Sequence, residues 1–128
     1  MALWQGGSKR KSTGGRIRHA RGKRRSEIGG ERQFTNLGSS KVMARRTRGG
    51  DSKSRTLSAS ICNVYDANQK KVVQTKILTV KENPSNPNYV QRNIITKSAI
   101  VGTELGDVLI TSRPGQNGAL NGVLVAKK

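Results

Sequence analysis

The chain has 128 residues, enough for one domain and too few for two full cores. It carries 25 Lys+Arg against 7 Asp+Glu, a formal charge of +18, so a folded state without a polyanionic partner would repel itself. No apolar run approaches the roughly 20 residues that cross a bilayer, no signal-peptide pattern is visible, and Cys62, the single cysteine, has no partner for an internal disulfide. The candidate partners of such a cytosolic chain are nucleic acid, an acidic protein or an anionic membrane, and the membrane, the weakest of the three, is not expected.

Charge and apolar content separate along the chain. Residues 1–56 hold 16 Lys+Arg, 3 acids, 10 glycines and 12 apolar residues, whereas residues 57–128 hold 9, 4, 5 and 29. The core is therefore expected in the second part, because the first cannot bury enough surface to offset chain entropy. Residues 1–40 are predicted to form an extended, irregular basic arm with little structure in isolation. Residues 41–128 are predicted to form a small β-barrel domain, with 41–56 leading into it as a basic strand and loop.

From Thr56 onward the signal is β. Leu57, Ala59 and Ile61 alternate with polar residues, which predicts a half-buried strand with these three facing a core. Asp66-Ala67-Asn68-Gln69 reads as a turn, and Val72–Val80 as the second strand of a hairpin. Asn83-Pro84-Ser85-Asn86-Pro87-Asn88 can sustain neither helix nor central strand and is predicted to be a loop. Short strands follow at Asn93–Thr96, Ala99–Thr103, Val108–Thr111 and Leu120–Val125. Leu105-Gly106-Asp107 and Arg113–Gly118 supply turns between them. Short strands without helical periodicity predict a mainly β fold, a small antiparallel β-barrel or a sandwich, with the barrel preferred since closure removes exposed edges.

The strongest chemical feature is the acid-free run from Lys9 to Arg25. Lys9, Arg10, Lys11, Arg16, Arg18, Arg21, Lys23, Arg24 and Arg25 supply cations, and the arginine fork can grip two phosphate oxygens together. Thr13-Gly14-Gly15 offers a turn whose amides can line an anion pocket. His19, the only histidine, fits an RNA contact within such a run better than an isolated general base. A solvated tail or a localisation signal is the bland alternative, but neither needs the glycine spacing. RNA folds make narrow channels in which a flexible arm touches several backbones, and no recognition helix for duplex DNA is apparent.

A second cluster, Arg45, Arg46, Arg48, Lys53 and Arg55, reads as an RNA contact or as a charged edge that discourages aggregation. Arg92, Asn93, Lys97 and Arg113 form a third set, each an RNA contact or a simple surface residue. Aromatics are too few for a base-reading sheet, which argues for backbone and shape recognition. Trp4 could stack on a base or anchor the arm. Glu27 and Glu31 read as partners for nearby arginines, and Cys62 as core. No metal-ligand spacing, phosphate-binding loop or nucleophile–base pair occurs. No enzyme, cofactor, metal or small-molecule substrate is expected.

Several of these segments occur together in a familiar order. Met1-Ala2-Leu3-Trp4-Gln5-Gly6, Thr13-Gly14-Gly15-Arg16, Lys23-Arg24-Arg25-Ser26-Glu27-Ile28-Gly29, Thr47-Arg48-Gly49-Gly50, Arg92-Asn93-Ile94-Ile95-Thr96-Lys97 and Ser112–Gly118 closely resemble the ribosomal protein S8e family in its short archaeal form. The resemblance covers nearly the whole chain. It implies a β-barrel and basic arm bound to small-subunit ribosomal RNA beside neighbouring ribosomal proteins, in the cytoplasm. It departs from the family pattern at Gly30–Phe34, where a proline-containing segment is common, and at Asp51, where asparagine is usual. The competing function is a free nucleic-acid chaperone or DNA-compacting protein, which the same charge could support.

Overall fold

The computed structural model describes residues 3–47 and 49–125. It divides into two compact units, one ending at Arg32 and the other beginning at Gln33.

The first unit is held by local backbone pairing. Strand β1 (Leu3–Trp4) runs antiparallel to β2 (Ile28–Gly29), which follows a 3-10 turn at Arg25–Glu27. Between them, an isolated bridge joins Arg10 to Arg16. The arm expected from the sequence therefore carries defined turns even though its basic residues are exposed.

Among its described residues, the second unit contains nine strands and one helical turn. In chain order they are β3 (Thr35–Leu37), β4 (Lys41–Arg46), β5 (Ser52–Ala59), β6 (Ile61–Asp66), β7 (Lys71–Glu82), α1 (Asn88–Gln91), β8 (Ile94–Ile95), β9 (Ile100–Thr103), β10 (Gly106–Ile110) and β11 (Asn121–Leu124). Five of them close a barrel in the order β10-β11-β6-β7-β9, and the other four form a sheet in the order β4-β5-β3-β8. The barrel pairs are antiparallel except β6 with β11, which is parallel. That exception is geometric: strands alternating in direction cannot close a ring of odd number without one parallel neighbour.

The core follows the pleat. Cys62 and Val64 of β6, Ile77 and Val80 of β7, Val101 of β9, Val108 and Ile110 of β10, and Leu120 form one cluster with Ala59 and Ile95. On β7 the buried positions run Thr75, Ile77, then Val80, an odd step explained by the register shift against β9 between Ile77 and Thr79. Gly122 lets β10 approach closely, since a β-carbon there would stand 2.4 Å from Val108 Cγ1 and 2.9 Å from the Leu109 carbonyl oxygen. Burial pushes the Cys62 thiol up to about 11, so it is neutral and a poor nucleophile at physiological pH.

Three sequence expectations are corrected. Ile61 does not face the core: it is 50% exposed, while Ala59 and Cys62 are buried. The chain passes from β5 to β6 at Ser60, whose carbonyl accepts the Ile77 N–H at 2.8 Å, and this one-residue break exchanges the faces. Thr35–Leu37 do not belong to an irregular arm, because β3 pairs with β5 and β8 and the Thr35 hydroxyl donates to the Thr56 carbonyl at 2.6 Å. Residues 41–56 are not merely a lead-in, since β4 and β5 form a hairpin within the second sheet.

The predicted loop at residues 83–88 is present up to α1, and it is ordered by Asn83. Its buried amide donates to the Ile94 carbonyl and accepts from the Thr96 hydroxyl and the Ser85 N–H. Asp66 likewise organises the β6–β7 turn by accepting the Asn68 N–H at 2.9 Å.

Candidate nucleic-acid interface

In the first unit, residues 9–17 fold into a tight basic hairpin. The Lys11 N–H donates to the Gly15 carbonyl at 2.8 Å, Gly14 N–H to Lys11 at 2.9 Å, and Ile17 N–H to Lys9 at 2.9 Å. Gly14 takes φ +84°, a conformation that side chains resist. The Arg10 guanidinium also donates to the Gly14 carbonyl at 2.9 Å. With the backbone so arranged, Lys9, Arg10, Lys11, Thr13, Gly15, Arg16, Arg18 and His19 are exposed.

Arg21, Lys23, Arg24 and Arg25 are exposed as well. Arg21 differs from the rest because both arms of its fork are engaged, with Nη2 at 2.6 Å and Nη1 at 2.9 Å from the Glu27 carboxylate. This bidentate bond holds the Glu27 carboxyl below its ordinary value and the Arg21 guanidinium above its own. The expectation that Glu27 partners an arginine is met here. In the open solvent around this pair, its larger effect is to orient Arg21.

The second cluster is arranged by strand register. Arg45 lies opposite Lys53, and Met43 opposite Arg55, so Arg45, Lys53 and Arg55 share one face of the β4–β5 hairpin. Together with Arg46 and Thr47 they surround a cavity of about 250 Å3. Like charges directly across a strand pair disfavour the sheet unless an anion lies between them. Arg48 lies outside the described residues.

The third set is partly assembled. Lys97 and Arg113 stand at one cavity of about 210 Å3 with Gln33, Phe34 and Gln116. Arg92 sits over the Phe34 ring, 5.9 Å from its centroid, and that ring packs against Tyr89 at 5.3 Å. Asn93 has a structural part, in the left-handed conformation at φ +49°, with its carbonyl accepting the Leu37 N–H at 3.1 Å. Gln33 joins the second and third clusters, because its side-chain oxygen also accepts from Arg55 at 3.5 Å. Phe34 and Gln33 escaped sequence reasoning since they fall in the presumed arm. The strand-favouring Phe34 and Thr35, with Leu37 two residues beyond Thr35, were the available signal.

Among the described residues, no group of His, Cys, Asp and Glu side chains could hold a metal ion, and no helix is long and apolar enough to cross a membrane.

A family model for ribosomal protein S8e matches residues 4–125. The chain is 50% identical over 123 residues to the small ribosomal subunit protein eS8 of Methanocorpusculum labreanum, covering 96% of this chain and 98% of that one. It is 51% identical over 123 residues to the eS8 protein of Methanosphaerula palustris, covering 96% and 98% respectively. The eS8 protein of Picrophilus torridus is 46% identical over 125 residues, covering 98% of this chain and all of its own. With these matches spanning nearly its whole length, the chain belongs to the ribosomal protein S8e family.

Proposed function

We propose that the protein is a structural constituent of the small ribosomal subunit, in the cytoplasm, and that it binds ribosomal RNA through phosphate-backbone and shape contacts. The observation that carries this is the crowding of Arg45, Lys53 and Arg55 on one hairpin face. Such an arrangement costs the free protein stability and is relieved by a phosphate backbone. The exposed cations of the hairpin at residues 9–17 act in the same way. Residues up to Arg32 serve as an RNA-binding arm, and the β unit presents a second basic surface that Gln33 extends to Lys97 and Arg113.

Family membership supports the same reading. A further support concerns protein neighbours. Val72, Tyr65, Val123, Leu109 and Ile100 stand in register across the five barrel strands. Val72, Tyr65 and Leu109 of this row are exposed, and a neighbouring subunit protein would cover them.

The test is binding of the full chain to a small-subunit ribosomal RNA fragment over a range of salt, followed by sedimentation with small subunits in high salt. A steep loss of affinity with salt in the isolated pair, and retention on the particle, is the expected outcome. Release from the particle at the salt that releases free RNA would favour a free chaperone instead.

A further inference from the structure

The single tryptophan stands five residues before the acid-free basic run that begins at Lys9, and its ring is fixed from several sides. The Trp4 backbone belongs to β1 and pairs with Ile28. The indole N–H donates to the Gly7 carbonyl at 3.0 Å. Gly6 lies against the ring: a β-carbon there would stand 2.3 Å from the indole Cζ2 atom, so the ring keeps its seat only while residue 6 has no side chain. The His19 ring lies 5.1 Å away, its plane tilted by 46°.

A tryptophan that served only to anchor the segment would gain most from full burial. Trp4 instead remains partly exposed. With Ile17 and His19 it walls an open cavity of about 500 Å3, at which Lys9, Arg10 and Arg16 also stand. An apolar, aromatic cleft beside several cations matches the two chemical halves of a nucleotide, a π-face and a phosphate.

We infer that this cavity takes one unstacked RNA nucleotide, its base against Trp4 and His19 and its phosphates on Lys9, Arg10 and Arg16. The inference rests on the RNA-binding reading above and adds a different mode to it. A base inside a helix has both faces stacked, so the ligand is a bulged or single-stranded nucleotide. The indole has one hydrogen-bond donor, already committed to Gly7, so Trp4 contributes stacking without reading the base edge. Base identity at this site is therefore weakly discriminated, because every base offers a π-face.

Because Trp4 is the only tryptophan, its emission reports on this cavity alone. The full chain is titrated with hexa-adenylate and with a blunt RNA duplex of equal length, while binding is followed separately by filter retention. Hexa-adenylate is expected to quench Trp4 emission, and the duplex to bind without quenching. Trp4→Leu should weaken hexa-adenylate roughly tenfold or more and leave duplex binding unchanged. Gly6→Ala, which displaces the ring and alters no charge, should reproduce that selective loss. If both RNAs bind but hexa-adenylate leaves the emission unchanged and Trp4→Leu binds it as wild type does, the cavity is not a nucleotide site and the RNA-binding reading stands. If neither RNA binds, the RNA-binding reading falls and takes this inference with it.

Discussion

The unit ending at Arg32 and the unit beginning at Gln33 achieve order by different means. The β unit buries aliphatic side chains around Val64, Val101 and Val108, each fully removed from solvent, and its register follows from which residues face inward. In the first unit, the basic hairpin is organised by backbone hydrogen bonds between Lys9, Lys11, Gly14, Gly15 and Ile17 and by the Arg10–Gly14 contact. Its stability is correspondingly local, and its charges stay outward. One unit derives its shape from burial and carries charge on a surface. The other is largely surface, and we propose that RNA supplies the packing partner it lacks.

The sharpest way to break this comparison is to charge the barrel interior. Val64→Asp should abolish cooperative unfolding, because an unpaired carboxylate in a closed core exceeds the stability such a small domain has in reserve. Ile61→Asp, three residues away on the outer face, should change stability by no more than about 0.5 kcal/mol. Thermal melts of both variants decide it; similar melts would mean the face assignment across Ser60 is wrong.

The next largest effect concerns the arm. Deleting residues 1–32 should leave the melt of the β unit intact and flatten the salt dependence of RNA binding. The deletion removes ten Lys/Arg. If half of them each hold one phosphate, the slope of log K against log salt falls by about 3.5 units, using about 0.7 per contact. The cut must stop at Arg32, since removing Thr35–Leu37 would take β3 out of its sheet. An unchanged slope would transfer the whole interface to the β unit.

A smaller change is expected from the hairpin. Replacing Arg45, Lys53 and Arg55 together with alanine should flatten the same slope by about two units. It should also stabilise the free protein slightly, because Arg45 and Lys53 no longer oppose each other. Salt titration and denaturant melts together separate the two consequences. Unaltered stability with an unaltered slope would leave the cluster as an edge device only.

The smallest effect sharpens the description of the barrel. The Thr75 hydroxyl is buried with no hydrogen-bond partner among the described residues, opposite Cys62 in the β6–β7 register. Thr75→Val retains the shape and removes the stranded polar group, so it should stabilise the protein by about 1 kcal/mol. A loss of stability in chemical denaturation would show that the hydroxyl is satisfied in solution.

Much of this architecture was legible in the residues. The β-branched stretch after Val72, the Asp66 turn, the proline-interrupted loop and the short final strands announce a β fold. The division of charge from apolar content places the core beyond Thr56. The basic run from Lys9 to Arg25 is readable as an exposed segment because solvation alone keeps that many cations outside. These features depend on composition and on neighbours close in the chain, and such information is present before folding.

What only the tertiary structure decided depends on residues far apart in sequence. Alternation could not show that Ser60 exchanges the faces of Ala59 and Ile61, because the break is imposed by the bond from Ile77. It could not show that β6 closes the barrel in parallel with β11, or that Phe34 and Gln33 would meet Lys97 and Arg113. Trp4 shows the distinction most clearly: the sequence left it open between an anchor and a stacking platform. The placement of Gly6, Gly7, Ile17 and His19 around one ring settled that the indole is both pinned and partly open. Local pattern encodes what a residue prefers to bury or expose, whereas closure of the chain on itself determines which of those preferences come to share one cavity.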